Sequence, residues 1–378
     1  MTTVRVLEVL GRLNRGGVEG WLMEILRAID RERFKLDFLV LSSSPGSYDA
    51  EVEALGSRVI ACRDPFKPWV FWRDFNDILR RYGPFDIVHS HVHFYSGFVS
   101  LIARNANVPV RIVHSHNSVP TAQAPRLRRL YAATMRAGIW RYATGGLAAS
   151  RRAALALYGP KWEAEGRWRI LYYSIDLTQF KGPLQRNLRS ELRIPTDAFV
   201  IGHVGRFVEQ KNHRFIVDVL SEAVKRRPKT RLLLVGDGPG RLEIEKLVES
   251  RSLKEHVIFA GVRTDVANIM REVIDVFVFP SLFEGLPLVL LEAQAAGLPC
   301  VVSEAITDEA TVVEALVKRV SLSKSASIWA GHIFAVRPRT DMSAEQALEA
   351  VENSPFNIKQ GVKELSRYYA ACRNLAYE

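Results

Sequence analysis

The chain of 378 residues has only three cysteines, Cys62, Cys300 and Cys372, far apart and odd in number. They make neither a disulfide framework nor a zinc-ligand spacing, and so few thiols suit a reducing cytosol. No apolar run reaches membrane-spanning length, because His, Arg or Asp interrupts each candidate. Met1-Thr2-Thr3-Val4-Arg5 runs straight into a strand pattern, without the regions of a signal peptide. No Gly-x-Gly-x-x-Gly follows the first strand, which argues against a dinucleotide cofactor. No Asp-x-Asp pair exists to clamp a metal-bound diphosphate. Acidic residues are also missing over a long stretch: residues 87–162 hold ten Lys/Arg and no Asp or Glu.

The net charge of +11 is therefore uneven, +9 over residues 1–180 and +2 over 181–378. An N-terminal half of that sign expects an anionic partner: a membrane surface, a nucleic acid or a phosphorylated substrate. The nucleic-acid reading lacks a known module and its interleaved aromatics.

What is present is alternation. Apolar stretches at 4–9, 36–41, 58–61, 87–91, 110–114, 146–149 and 168–171 read as strands. Helical patterns fall between them at 18–29, 49–55, 70–81, 96–104, 126–141 and 151–158. A second series begins at 199–204 and continues with strands at 231–235, 257–259, 276–279 and 300–303. Its helices lie at 213–227, 241–251 and 266–271, and weaker ones near 307–317, 343–353 and 357–374. Such alternation implies parallel sheets covered on both faces. The fold class is α/β, with two doubly wound, Rossmann-like domains facing each other across a cleft. The polar stretch 179–187 marks the boundary, giving domains at 1–180 and 181–355 and a C-terminal segment at 356–378.

Chemistry concentrates at strand ends. The stretch Pro280-Ser281-Leu282-Phe283-Glu284-Gly285-Leu286-Pro287 joins a buried strand to a helix expected from about Pro287, with Glu292 inside it. Open α/β sheets bind ligands in that crevice, where backbone N–H groups suit phosphate and carboxylates suit sugar hydroxyls. A helical span from 285 to 292 would advance roughly 12 Å, comparable to a nucleotide-sugar from hexose to ribose. Arg206 and Lys211 follow the first strand of the second series, where fixed cations would stabilise a departing diphosphate. Gly236-Asp237-Gly238-Pro239-Gly240 ends the next strand, and its glycines allow close backbone approach. Gly261-Val262-Arg263 ends the one after, where backbone groups can read a base edge. In the first series, Gly16-Gly17 between strand and helix forms a phosphate cradle of low specificity.

Five histidines, His89, His91, His93, His114 and His116, fall within 28 residues. His89-Ser90-His91-Val92-His93 on a strand would put three rings on one face. A hydrolytic metal site usually adds carboxylates, and Asp86 is the only acid near in sequence, so no metal is expected. A third feature is amphipathic. Arg126, Arg128, Arg129, Arg136 and Arg141 share a helix with Leu127, Leu130, Tyr131, Ile139 and Trp140. Such a helix suits a membrane interface, and Pro65-Phe66-Lys67-Pro68-Trp69-Val70-Phe71-Trp72 supplies aromatics that settle at headgroup level.

Taken together, these motifs resemble retaining glycosyltransferase family 4. The resemblance runs over nearly the whole chain: Gly16-Gly17-Val18-Glu19, Asp86-Ile87-Val88-His89-Ser90-His91, Gly205-Arg206 with Lys211-Asn212, Val235-Gly236-Asp237-Gly238-Pro239, and Phe283-Glu284-Gly285-Leu286-Pro287 through Glu292. Gly297-Leu298-Pro299-Cys300-Val301-Val302-Ser303 and Ile306-Thr307-Asp308-Glu309 are similar to the bacterial capsular and exopolysaccharide branch.

The resemblance implies the GT-B fold, with the second domain holding a nucleotide-sugar donor (UDP-linked) and a C-terminal helix returning to the first. It implies transfer with retention to a lipid-linked or polysaccharide acceptor at the inner face of the cell membrane. Glu284 would meet the sugar hydroxyls and Glu292 the ribose, with Gly285 and Leu286 between them at the donor. Arg206 and Lys211 would hold the diphosphate, and Gly16-Gly17 would close on it. Gly236, Val262 and Arg263 would complete the nucleotide site. His116, in Val113-His114-Ser115-His116-Asn117, matches a family histidine near the reacting centre, with His114 beside it as the alternative. The family's Asn-Gly before Ile-Asp is Tyr173-Ser174 here. Other readings are a nucleotide-sugar epimerase on the same fold and a metal-dependent hydrolase using His89, His91 and His93.

Overall fold

A computed structural model describes residues 3–62, 67–117, 125–184, 187–336 and 343–377. Pro65 and Phe66 of the aromatic stretch lie outside the described residues. The chain divides into two compact units, Met1–Ile175 with Ile358–Glu378, and Asp176–Asn357.

The first unit is built on seven parallel strands: β1 (Val4–Leu10), β2 (Phe34–Val40), β3 (Val59–Ala61), β4 (Ile87–Ser90), β5 (Val110–Ser115), β6 (Gly145–Ala148) and β7 (Trp168–Ile170). They lie in the order β3-β2-β1-β4-β5-β6-β7. From β1 the chain works outward to β3, then returns to place β4 on the other side of β1. That reversal opens a crevice outside the carboxyl ends of β1 and β4. The strands carry near-continuous apolar runs because both faces are covered, and Val6, Leu7, Val9, Ile87 and Val88 are all buried.

Two helices cover the face of β1 and β4 that matters below. Helix Gly17–Ala28 buries Trp21, Leu22, Ile25 and Leu26. The C-terminal helix Ile358–Tyr377 packs against that helix, β1 and β5. It is tied in where the Ile358 N–H donates to the Ile175 carbonyl (3.0 Å). Gly361 lacks a side chain where the Ser174 hydroxyl fills the space. Elsewhere, helices Ser96–Asn105 and Arg126–Tyr142 approach so closely that a Cβ on Gly97 would overlap the Met135 carbonyl.

The second unit has six parallel strands: β8 (Phe199–Val204), β9 (Thr230–Val235), β10 (Val257–Gly261), β11 (Val276–Phe279), β12 (Cys300–Ser303) and β13 (Val317–Val320). Their order, β10-β9-β8-β11-β12-β13, repeats the pattern, with its switch point between β8 and β11. Leu232, Leu234, Val276, Val278, Val301 and Trp329 form part of its core.

The chain after β12 differs from the sequence reading. Residues 307–317 form only the 3-10 turns Asp308–Ala310 and Glu314–Leu316, and β13 follows. Val317-Lys318-Arg319-Val320 is too short for its alternation to register, yet pairing with β12 fixes it as an edge strand. Helix Ala326–Ala335 is nearly apolar throughout and shows no periodic face. It is set instead by the Ser325 cap on Ile328 N–H and by Trp329, buried with its indole N–H on the Ser321 carbonyl (3.1 Å).

Candidate active site

The loops at the β8–β11 switch point are bound to each other. After β8, Arg206 leads into the 3-10 turn Glu209–Lys211; after β11, residues 280–287 lead to helix Leu288–Ala295, one residue later than read from sequence. The Gln210 carbonyl accepts from Leu282 N–H and its side-chain amide donates to the Phe283 carbonyl (both 2.8 Å). The Asn212 amide donates to the Pro280 carbonyl (3.3 Å). This frame delivers Lys211 Nζ to 2.7 Å from Glu284 Oε1, with both side chains largely buried. Lys211 also lies over the Phe279 ring, 4.8 Å from its centroid. Beneath them His203 donates from Nδ1 to the Val278 carbonyl (2.9 Å), and His213 stacks on Phe207 (4.2 Å). Burial, with their mutual repulsion and Lys211 adding to it, holds His203 well below the ordinary histidine range; burial and then Lys211 push His213 down to about 4. Both rings stay neutral. Arg206 is exposed at the same edge and makes no ion pair among the described residues.

The glycines of the neighbouring loops serve close packing. Gly236 has φ +130°, and a Cβ there would overlap the Gly205 carbonyl. At Gly238 a Cβ would meet the Phe207 backbone at 2.6 Å. Val262 is exposed beyond β10. Arg263 is clamped by Asp265 (2.8 and 2.7 Å) and Glu191 (2.7 Å), whose hydrogen bonds raise its pKa further. Gly285 and Leu286 are buried in the loop, and Glu292 is half-buried on helix Leu288–Ala295.

In the first unit, Gly16 caps helix Gly17–Ala28 in an extended conformation, and the Glu19 carboxylate occupies the space where a Gly16 side chain would lie. Below that loop is a buried polar cluster whose centre is Glu8 of β1. In the parallel register Glu8 faces His89, and His91, His114 and His116 continue the same face. The histidine region has no acid of its own in sequence; β1 supplies one in space. Glu8 Oε2 accepts from His91 Nε2 (2.7 Å) and lies 3.2 Å from His89 Nδ1, while Oε1 accepts from the Tyr369 hydroxyl (2.8 Å). His91 Nδ1 is 2.7 Å from His116 Nε2, and His116 Nδ1 meets the Tyr173 hydroxyl. Burial alone would raise the Glu8 carboxyl, but His89 and His91 outweigh it and hold it well below the usual range.

His93 corrects the expectation of three rings on one face. β4 ends at Ser90, and His93 has φ +52° in the turn His93–Tyr95, its ring against Phe94. His114 takes the third place instead. Ring nitrogens of His89, His91 and His114 lie within 4.8 Å of one another. That set is a poor cation site, because a ring nitrogen's lone pair points in the ring plane. The His89 and His114 rings are stacked 9° from parallel with centroids 5.3 Å apart, and both His91 nitrogens are already engaged. His116 sits just beyond β5 at the carboxyl edge, whereas His114 is sealed inside the sheet.

The profile of the Glycosyl transferase 4-like domain matches residues 16–162, and that of Glycosyl transferases group 1 matches 185–330. Putative glycosyltransferase EpsF of Bacillus subtilis is 36% identical over 97% of this chain and 96% of its own. The chain belongs to the group 1, family-4-like glycosyltransferases. Capsular polysaccharide biosynthesis glycosyltransferase CapH of Staphylococcus aureus is 26% identical over 97% of this enzyme and 98% of its own length. Among solved structures, Anabaena HepE in complex with UDP-glucose superposes with a TM-score of 0.81 at 18% identity, covering 97% of this chain and 99% of that one. The likeness establishes the GT-B fold.

In this glycosyltransferase the basic helix divides in two. Its C-terminal half packs inward: Ile139 is buried, and the Trp140 N–H donates to the Tyr158 carbonyl (2.9 Å). Its first turns project, with Leu127 82% and Leu130 65% exposed beside exposed Arg126, Arg128 and Arg129. No helix among the described residues is long and apolar enough to cross a membrane. Sequence reading missed Glu8, Tyr173 and Tyr369 as partners of the histidines. A signal for Glu8 was available: a lone acid in the apolar run Val6-Leu7-Glu8-Val9-Leu10.

Proposed function

We propose that this glycosyltransferase moves a hexosyl group, with retention, from a UDP-linked sugar to a lipid-linked or polysaccharide acceptor in exopolysaccharide or capsule assembly. The observation that carries the reading is the Lys211–Glu284 pair at the switch point of the second sheet, with Arg206 beside it. Glu284 offers a carboxylate to sugar hydroxyls, and Lys211 fixes its position. When the bond from the anomeric carbon to the diphosphate breaks, negative charge grows on the leaving oxygens. Arg206 and the Lys211 ammonium are the fixed cations placed to meet it. Gly285 and Leu286 put backbone N–H groups near the start of helix Leu288–Ala295, and Glu292 reaches the ribose from the same helix. Gly236, Val262 and Arg263 form the nucleotide side; Arg263 would release a carboxylate to contribute. Gly16-Gly17 and His116 act from the first unit.

The pathway and the donor are supported by what relatives are called: CapH is a capsular polysaccharide enzyme, and HepE was solved with UDP-glucose. Charge stabilisation at the diphosphate falls to these side chains, so the reading includes no resident metal. The acceptor side is the basic first unit, and the exposed turns of helix Arg126–Tyr142 would rest on an anionic membrane from the cytosol. A screen of nucleotide-sugars tests the reading, by thermal stabilisation and by slow donor hydrolysis. One UDP-sugar should stand out on both. Stabilisation by none, or an interconverted sugar nucleotide as the product without acceptor, would overturn it.

A further inference from the structure

The buried cluster of the first unit contains a chain of hydrogen bonds with one direction. Glu8 is ionised, so it can only accept. His91 must therefore carry its proton on Nε2, facing Glu8 Oε2 at 2.7 Å. Burial, with His89 adding to it and Glu8 opposing, pushes His91 down to about 4, so the ring is neutral and its Nδ1 is a lone pair. That lone pair faces His116 Nε2 at 2.7 Å, so the His116 proton is on Nε2. His116 is held neutral by burial and by the other histidines, which leaves Nδ1 as an acceptor for the Tyr173 hydroxyl. Burial, reinforced by Glu19, keeps Tyr173 protonated. One carboxylate thus orders the protons of Tyr173, His116 and His91 in series. A second arm ends on the same carboxylate: the Tyr369 hydroxyl donates to Oε1, and its oxygen accepts from His89 Nδ1 (2.7 Å). The C-terminal helix supplies this arm, so its return to the first unit completes the lock.

We propose that Glu8 is a positioning residue for the transfer reaction: acting through His91, it fixes His116 as the Nε2–H tautomer, so that His116 meets the substrate as a hydrogen-bond acceptor. A sugar hydroxyl donates to Nδ1 in place of the Tyr173 hydroxyl. His116 in the opposite tautomer would present N–H to that hydroxyl, and an imidazolium would present two donors. The distinction resembles that in the serine-protease triad, where an acid fixes the imidazole tautomer without being protonated itself. The inference rests on the proposed function only in giving His116 a sugar partner. The tautomer lock itself stands on the hydrogen-bond chain.

Long-range proton–nitrogen NMR of the full-length, histidine-labelled protein reads the tautomers directly, with His91→Gln and His116→Gln for assignment. In the wild type near neutral pH, His91 and His116 should both be neutral Nε2–H forms. Glu8→Gln preserves shape but can turn a donor toward His91, so both rings should become mixed or reversed. Its kcat for transfer should fall roughly tenfold or more, with donor KM and unfolding temperature little changed; Glu8→Asp should restore the tautomers and part of kcat. If Glu8→Gln does not fold, His91→Asn cuts the chain one link further out and should mix the His116 tautomers alike. Nδ1–H on wild-type His116, unchanged tautomers in Glu8→Gln, an unchanged kcat, or stoichiometric zinc capture that perturbs His89, His91 and His114 together would each overturn the proposal. Failure of the functional reading looks different: no donor would support transfer by the wild type, while the tautomer pattern persisted.

Discussion

The Lys211 ammonium stands 2.7 Å from the Glu284 carboxylate, and neither side chain is free to relax into water. Two residues assigned separately, one to the sugar and one to the diphosphate, are a single ion pair. Removing either partner breaks a buried pair, which costs more than losing an exposed one. Glu284→Gln should lower kcat/KM by about 10²-fold, the size of losing one positioned electrostatic group. Lys211→Ala should do the same and weaken nucleoside diphosphate binding. Because the partners share one interaction, the double variant should cost less than the two losses combined, by about 1–3 kcal/mol. Steady-state kinetics on the four proteins check this; strictly additive losses would separate the two roles again.

Arg206 is the complementary case, exposed at the same edge and without an ion-pair partner among the described residues. Its contribution should be to the leaving group. Arg206→Ala should weaken nucleoside diphosphate affinity by about tenfold, and Arg206→Lys should recover only part because the guanidinium fork is lost. Unfolding temperature should not move in either variant. Unaltered affinity in titration calorimetry would remove Arg206 from the site.

The second unit was the more legible of the two in sequence. Glu284, Arg206 and Lys211 lie at strand ends, and consecutive parallel strands put such ends along one edge. Pairing between side chains 73 positions apart was not legible, because it depends on the turn Glu209–Lys211 docking on residues 280–283. Gly236 and Gly238 were legible as close-approach positions, but the approaching backbone is that of Gly205 and Phe207. In the first unit, alternation along the strand put His89 and His91 on one face, and pairing of β5 with β4 brings His114 and His116 to it. Alternation could not show that Glu8 joins them, since adjacency of β1 and β4 is a property of strand order. His93 left the face because the strand stops at Ser90. The short edge strand β13 and helix Ala326–Ala335 lacked a period long enough to read.

Acid should destabilise the protein well above the carboxylate range. Burial is the main cause that pushes His91, His93 and His213 down to about 4 and holds His114, His116 and His203 well below the ordinary histidine range. An unfolded chain takes up protons on these residues below about 6.5, so it binds more protons than the folded state there. Stability then falls with pH from about 6.5 to about 4, each such histidine adding a slope of up to about 1.4 kcal/mol per pH unit. Glu8, held low, acts later: its contribution is lost only as pH drops below the ordinary carboxylate value. Unfolding temperature should therefore drop steeply between about pH 7 and about pH 5. A flat profile would mean that the rings charge without unfolding.

The first turns of helix Arg126–Tyr142 make a prediction about where the enzyme works. Its C-terminal half is held by Gly97, Ile139 and Trp140, while its first turns project from that packing. Leu127 and Leu130, 82% and 65% exposed, lie among Arg126, Arg128 and Arg129. A cation near an anionic bilayer contributes about 1 kcal/mol, and shallow insertion of the leucines adds to it. The protein should sediment with anionic vesicles and not with zwitterionic ones, less so as salt rises. Changing the three arginines together to Ser should weaken vesicle binding and slow transfer to a lipid-linked acceptor, while donor hydrolysis continues. Leu127→Ser with Leu130→Ser should weaken binding less, and without altering its salt dependence. Neither set should change unfolding temperature, since these side chains are exposed. Equal binding to both vesicle types, or to neither, would reduce the helix to a solvated cationic face.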